Sequence, residues 1–361
     1  MRYLKGLFAV LLIIGMYTSC ETDFELNAPY EKTAVIFGFL EISADTQYFR
    51  IQKTFLGEGD AILFAGIEDS SLFDSVEGRI YWTNENGDQL GQASMDSITV
   101  HNKDTDGIFF APTQLMYYIP SSEIEFNTDH IYNLEVIADG EIYTSSTRLV
   151  EMLSQNIQQP PSDAGGLEIA MVTGSGAALN YLDKKVRFTT IDFARRYDLL
   201  LKFYYTDHKI SGDVPRTFNF NIGDVITNSD NGGAIVERVF DSEVWYKQIG
   251  DLNDSNQDII YRSAGKLDYI ITLAAEDLHN YITINEPVTG IVQNRPEYTN
   301  ITKGDGGSGI GIFSSRFTIV RTKYLNTNSM REMACGQYTE ADLFCDPNSG
   351  DFQCGSGFEC F

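Results

Sequence analysis

Apolar and polar residues alternate in short runs along most of this chain, and Gly, Asn and Asp punctuate the runs. A two-residue period places successive side chains on opposite faces, which suits half-buried strands and not helices of period 3.6. The clearest unit is Tyr132, Leu134 and Val136 on one face, a turn at Asp139-Gly140, and a return strand over 141–150. Further strands read at 33–40, 47–55, 76–83, 89–100 and 109–119, with Asn86-Gly87 supplying a hairpin turn. Roughly six to eight strands, with a turn about every 8 to 12 residues, predict an immunoglobulin- or fibronectin-like β-sandwich over 33–152. Tyr132, opening its strand, resembles the tyrosine corner of such domains.

The chain has 361 residues, more than one ordinary domain of about 150. Residues 153–166 read as a linker, polar and rich in Pro and Gly. Residues 167–325 form a second β-rich domain, with alternating strands around Val186, Leu199 to Tyr205, and Phe218 to Ile222. Two helices interrupt it: Ser242–Gly250, with Trp245 and Ile249 four apart, and Glu276–Asn285, with Leu278, Tyr281 and Ile282 on one face. A pair of strands near 309–313 and 317–324 closes it, and 326–361 is a separate Cys-rich tail. The fold class expected is therefore mainly β with one or two short helices. A hydrophobic content of 43% fills real cores and excludes wholesale disorder. The net charge of −25, with no basic stripe, repels phosphate backbones and argues against nucleic acid as a partner.

Arg2 and Lys5 precede an apolar run over 7–16, too short for the roughly 20 residues that cross a bilayer but the size of a signal-peptide core. Tyr17-Thr18-Ser19-Cys20 resembles a bacterial lipobox, with Tyr17 where Leu is usual. It implies a signal peptide over 1–19, lipidation of Cys20 and a tether over 20–32; the alternative is a plain secretory signal with an incidental cysteine. Each buried acyl methylene contributes about 0.8 kcal/mol, so a multiply acylated cysteine anchors stably. Glu21, Asp23 and Glu25 resemble the acidic signal that sends Bacteroidota lipoproteins to the outer face of the outer membrane.

Three further stretches carry a family resemblance: PYEKTAVIFGFLEISADTQYFRIQKTFLGEGDA (29–61), EDLHNYITINEP (276–287) and TNITKGDGGSGIGIFSSRF (299–317). With the lipobox, they resemble a family of Bacteroidota outer-membrane lipoproteins often encoded beside TonB-dependent receptors. The likeness spans 20–325 in layout and is most specific in the third stretch. It implies a role beside such a receptor and supplies no catalytic residue to carry over. The segment after Tyr324 has no counterpart in it.

Chemistry-bearing residues are few. With Cys20 acylated, Cys335, Cys345, Cys354 and Cys360 leave an even number, which in an exported chain predicts two disulfides in one of three pairings. A zinc site is the alternative, but the spacings lack the two-residue gaps zinc prefers. Asp251, Asn253, Ser255 and Asp258 offer oxygen ligands in a calcium-loop rhythm. Asn256 stands where Gly belongs and Arg262 where a bidentate Glu belongs, so solvated turns are the competing reading. Asp104-Thr105-Asp106-Gly107 and Asp305 are lesser fragments of the same kind. The glycines of 304–311 precede a strand and lack Gly-Lys-Ser/Thr, so they serve backbone geometry and not phosphate. His101, His130, His208 and His279 lie in different segments, only His208 and His279 having acids nearby in sequence. Tyr117-Tyr118, Tyr204-Tyr205 and Trp245-Tyr246 either line a groove for peptide or glycan or pack under loops, with at most one of each pair in a core. The expected protein is a lipid-anchored, surface-exposed outer-membrane lipoprotein with no catalytic residues and no cofactor except a candidate calcium. It would act as a non-enzymatic accessory of a TonB-dependent receptor in nutrient capture. The alternatives are an adhesin or structural envelope protein, and a hydrolase whose site assembles only in space.

Overall fold

The near-continuous apolar run after Thr33 is explained by what covers its two faces. In the computed structural model, which describes residues 32–54, 61–101, 103–162, 166–174, 176–252, 258–286 and 297–346, this run is a central strand, Ala34–Leu40. Ala34, Ile36 and Leu40 point into a core, while Phe37 on the opposite face meets the ring of Tyr281 edge-on, 5.8 Å away. Both faces are apolar because both are covered.

The protein is mainly β, as expected. The largest sheet runs, in spatial order, Gly212–Ile226, Ala194–Lys209, Ile259–Ala275, Ile310–Leu325, Ala34–Leu40, Thr46–Lys53, Gln114–Pro120 and Asp96–Val100. Its second part faces a five-stranded sheet of Thr302–Lys303, Glu141–Arg148, Ile131–Ala138, Val76–Thr83 and Gln89–Ser94. One core, with Phe49, Ile51, Trp82, Tyr132, Leu134 and Phe313, joins these two layers into the N-terminal sandwich. A second core, with Leu199, Leu201, Phe203, Trp245, Ile271 and Leu273, lies under the long strands of the C-terminal half.

The tyrosine corner is present. Tyr132 is fully buried, its hydroxyl donating to the Glu125 carbonyl at 2.6 Å and accepting from the Asn127 N–H at 2.7 Å. Burial pushes the phenol up to about 12. Tyr132→Phe strands both backbone groups and is expected to cost about 1–2 kcal/mol in urea denaturation, with the m-value unchanged. The Asp139-Gly140 turn has positive φ at both residues, 47° and 86°, as a two-residue hairpin requires.

Several elements depart from the sequence reading. Residues 89–100 are two strands in different sheets, divided at Met95, whose N–H turns back to the Gly78 carbonyl at 2.8 Å. The expected pair at 309–313 and 317–324 is one continuous strand, Ile310–Leu325. Its first part pairs in parallel with Ala34–Leu40 and its second part antiparallel with Ile259–Ala275. Ser314 and Ser315 read as a break, yet both are buried with their hydroxyls engaged: Ser314 accepts from the Leu278 N–H at 3.2 Å and Ser315 from the Val150 N–H at 3.1 Å. The strand thus contributes Phe313 to the first core and Leu325 to the second. The described part of the linker is docked on the same strand, where Arg321 donates to the carbonyls of Ser154, Ile157 and Pro160. The tail expected to stand apart begins inside the second core: the helix Thr327–Cys335 buries Met330 and Met333, and Phe344 packs beside Phe203 and Tyr205.

Candidate functional site

Alternation along Thr46–Lys53 sends Phe49 and Ile51 into the core and leaves Arg50 and Gln52 on the outer face of the large sheet. The chain then folds back over that face. The Lys53 N–H donates to the Ser71 carbonyl at 2.9 Å, the Phe110 N–H to the Ala65 carbonyl at 2.9 Å, and the Thr113 hydroxyl to Glu68 at 3.3 Å. Beneath this roof lies a cavity of about 450 Å³, within the range of small-ligand sites. Its walls combine Arg50, Lys53 and Lys103 with Leu72, Phe109, Phe110 and Leu115. Glu68 is the carboxylate among the lining residues. Lys103 donates to the Phe110 carbonyl and lies 5.7 Å from the Phe109 ring centre; Arg50 lies 5.5 Å from that of Phe37. Phe109, 56% exposed, stands at the rim. Sequence reasoning does not single out these residues. The signal for them is Phe109-Phe110 beside Ala111-Pro112, an aromatic pair that reads as the start of a strand at 109 but precedes the strand Gln114–Pro120.

The residues singled out by sequence do not converge there. Cys20 lies outside the described residues, as do Asn253 and Ser255 of the calcium loop. Asp251 caps the end of the helix Ser242–Gly250, and Asp258 is exposed in a turn. Among the described residues no group of three or more His, Cys, Asp or Glu is placed to hold a metal. Asp305 instead accepts from the Gly307 N–H at 2.9 Å, and Gly306 and Gly311 take positive φ, the backbone role expected of these glycines. Cys335 ends a helix and Cys345 is buried. Cys354 and Cys360 lie outside the described residues. Trp245 and Tyr246 are both fully buried, against the expectation of one per pair. They lie on a helix, where neighbours differ by about 100° and not 180°, and the Tyr246 hydroxyl reaches the Ser329 carbonyl at 2.8 Å.

One histidine does acquire partners. His208 Nδ1 is 2.7 Å from Asp213 and Nε2 is 2.8 Å from the Ser263 hydroxyl, with Tyr261 stacked on the ring at 4.2 Å. The distances are those of a nucleophile, base and orienting acid. The setting differs. Ser263 is held mid-sheet between Thr206 and Cys345, and the Arg262 N–H beside it donates to the Leu343 carbonyl. An acyl-transfer site requires N–H donors directed at a developing oxyanion, and these three side chains do not line the cavity under residues 61–72. Asp207, the sequence neighbour of His208, faces the other side of the sheet.

On that side Asp207 accepts from Arg216 and Arg262, both at 2.9 Å, and Arg262 also donates to the Asp342 carbonyl at 3.1 Å. Burial pushes the Asp342 carboxyl up to about 6, partly offset by Arg262. Its folded value lies above the unfolded one, so the stability it contributes is present below about pH 4 and lost as pH rises towards 6. Asp342→Asn is accordingly expected to stabilise the protein by about 1–2 kcal/mol at pH 7 and by almost nothing at pH 4, read from denaturation curves at the two pH values.

No protein-family model matches the sequence, and no curated protein is similar to it. Among solved structures, the C-terminal globular domain of an oligosaccharyltransferase from Pyrococcus abyssi aligns at 10% identity with a TM-score of 0.24. The alignment covers 65% of this chain and 45% of that one, so this chain matches less than half of that structure's length.

Proposed function

We propose that this chain is a surface-exposed outer-membrane lipoprotein of the Bacteroidota family it resembles, anchored through Cys20. In this reading it serves as a non-enzymatic accessory of a TonB-dependent receptor in nutrient capture. The observation that carries the capture role is the cavity roofed by residues 61–72 and walled by 103–113. A site of that size on a β scaffold suits a small ligand held for transfer. Its location at the surface rests on the lipobox resemblance and the acids that follow it. The reading includes two disulfides among Cys335, Cys345, Cys354 and Cys360, supported by the even number of tail cysteines in an exported chain.

The test is recovery of the lipoprotein from native membranes in mild detergent: a TonB-dependent receptor should accompany it, and recovery alone would favour the adhesin or structural reading. The Ser263–His208–Asp213 contacts are the specific observation on the side of a hydrolase. A fluorophosphonate probe separates the two: the accessory reading expects Ser263 to remain unlabelled, and labelling abolished by Ser263→Ala would establish the hydrolase.

A further inference from the structure

From the charges lining the cavity, we propose that its ligand is a small organic acid, an anionic group carried on a ring or apolar body. This deepens the capture role and rests on the cavity being a ligand site. The protein as a whole carries a net charge of −25, and many of its cations outside the cavity face carboxylates. Arg79, Arg196, Arg262, Lys266 and Arg316 each have a carboxylate within 2.9 Å. Arg50, Lys53 and Lys103 line the cavity together, and among the described residues none of them forms an ion pair. Three cations that form no ion pair, set against the one carboxylate of Glu68, give this concavity a net positive lining in a chain this acidic. Low-dielectric walls focus such a field on whatever enters. The aromatic and aliphatic lining supplies the other half of the recognition: Phe109 and Phe110 offer flat faces to a sugar ring or an apolar side chain at little entropic cost. A neutral glycan would leave the cations unused, and a simple inorganic anion would leave the apolar wall uncovered.

The test uses the chain from residue 20 with Cys20→Ala, which needs no detergent, and two probes sharing one aromatic body. These are 8-anilinonaphthalene-1-sulfonate, which is anionic, and N-phenyl-1-naphthylamine, which is neutral. The anionic probe is expected to bind at one site, about tenfold or more tighter than the neutral one, and to weaken as NaCl rises from about 50 to about 500 mM. Arg50→Gln/Lys53→Gln/Lys103→Gln should weaken the anion about tenfold or more and leave the neutral probe within about twofold. Lys53→Gln alone, whose ammonium has no ion-pair partner among the described residues, guards against a fold effect and should cost about threefold for the anion only. Equal binding of the two probes, or anion binding unchanged by the triple variant, would overturn the proposal. Competition then names the source: displacement by digalacturonate indicates a sugar acid, displacement by the dipeptide Phe-Glu a peptide acid, and displacement by neither overturns the assignment to an organic acid. Neither probe requires a receptor, so failed co-purification with intact selective binding would remove the receptor partnership and leave the ligand class standing.

Discussion

Gly311→Val is expected to lower the stability of this protein by about 3 kcal/mol or more, the largest effect of any single glycine substitution proposed for it. Gly311 opens the strand Ile310–Leu325 opposite Ile36, with φ at +104°, a region that β-branched residues essentially avoid. A Cβ at this position would sit 2.0 Å from the Ile36 carbonyl oxygen, and the obstacle is backbone of a central strand, which has nowhere to move. Conformational strain and collision therefore add. Gly306→Ala supplies the comparison: φ is +88° there, but a methyl group at that position would meet nothing within 4 Å, so only the backbone term of about 1 kcal/mol applies. Denaturation curves of the two variants should differ by about 2 kcal/mol or more, and equal losses would show that the close approach contributes nothing.

Arg262→Ala is expected to cost about 3–5 kcal/mol. The guanidinium is buried, binds Asp207, which is 1% exposed, donates to the Asp342 carbonyl, and lies 5.7 Å from the Phe344 ring centre. Its removal strands Asp207 with Arg216 as its other cation and frees the last described strand, Phe344–Cys345, from the Ile259–Ala275 strand beside it. Removing both charges is a different matter, since a buried ion pair is weakly stabilising against an apolar replacement of similar shape. Arg262→Met with Asp207→Asn should therefore recover about half or more of the loss. A double-mutant cycle on the two positions measures this, and strict additivity would exclude coupling between them.

What is legible in the sequence follows from local periodicity. Val76–Thr83, Ile131–Ala138 and Ser242–Gly250 lie where the apolar spacing places them, because each buries one face in a continuous core, and Glu276–Asn285 also lies where its spacing places it, with Tyr281 against Phe37. The central strand Ile259–Ala275 is not visible, since Arg262 and Asp268 occupy buried positions that read as polar surface. Both are buried because partners from elsewhere in the chain satisfy them: Asp207 faces Arg262, and Thr322 donates to Asp268 at 2.6 Å. Pairing between distant segments leaves no trace in spacing. The cavity is hidden for the same reason, as Arg50, Lys103 and Phe109 come together only when two excursions fold back over one sheet. His208 illustrates the converse error: adjacency to Asp207 suggests a pair, but strand alternation separates those two and hands His208 to Asp213 across a hairpin.

The single strand shared by both cores also has a temporal meaning. Ala34–Leu40 is made first and Ile310–Leu325 near the end, so the sandwich waits through synthesis of nearly the whole chain for its neighbouring strand. Until then the Val35, Phe37 and Phe39 strand has an open hydrogen-bonding edge, the feature most prone to pairing with another molecule. Contacts of such long sequence separation slow folding. A chain truncated before Ile310 would therefore be expected not to yield an independent N-terminal domain but to aggregate through that edge, and the two halves should melt as one cooperative unit.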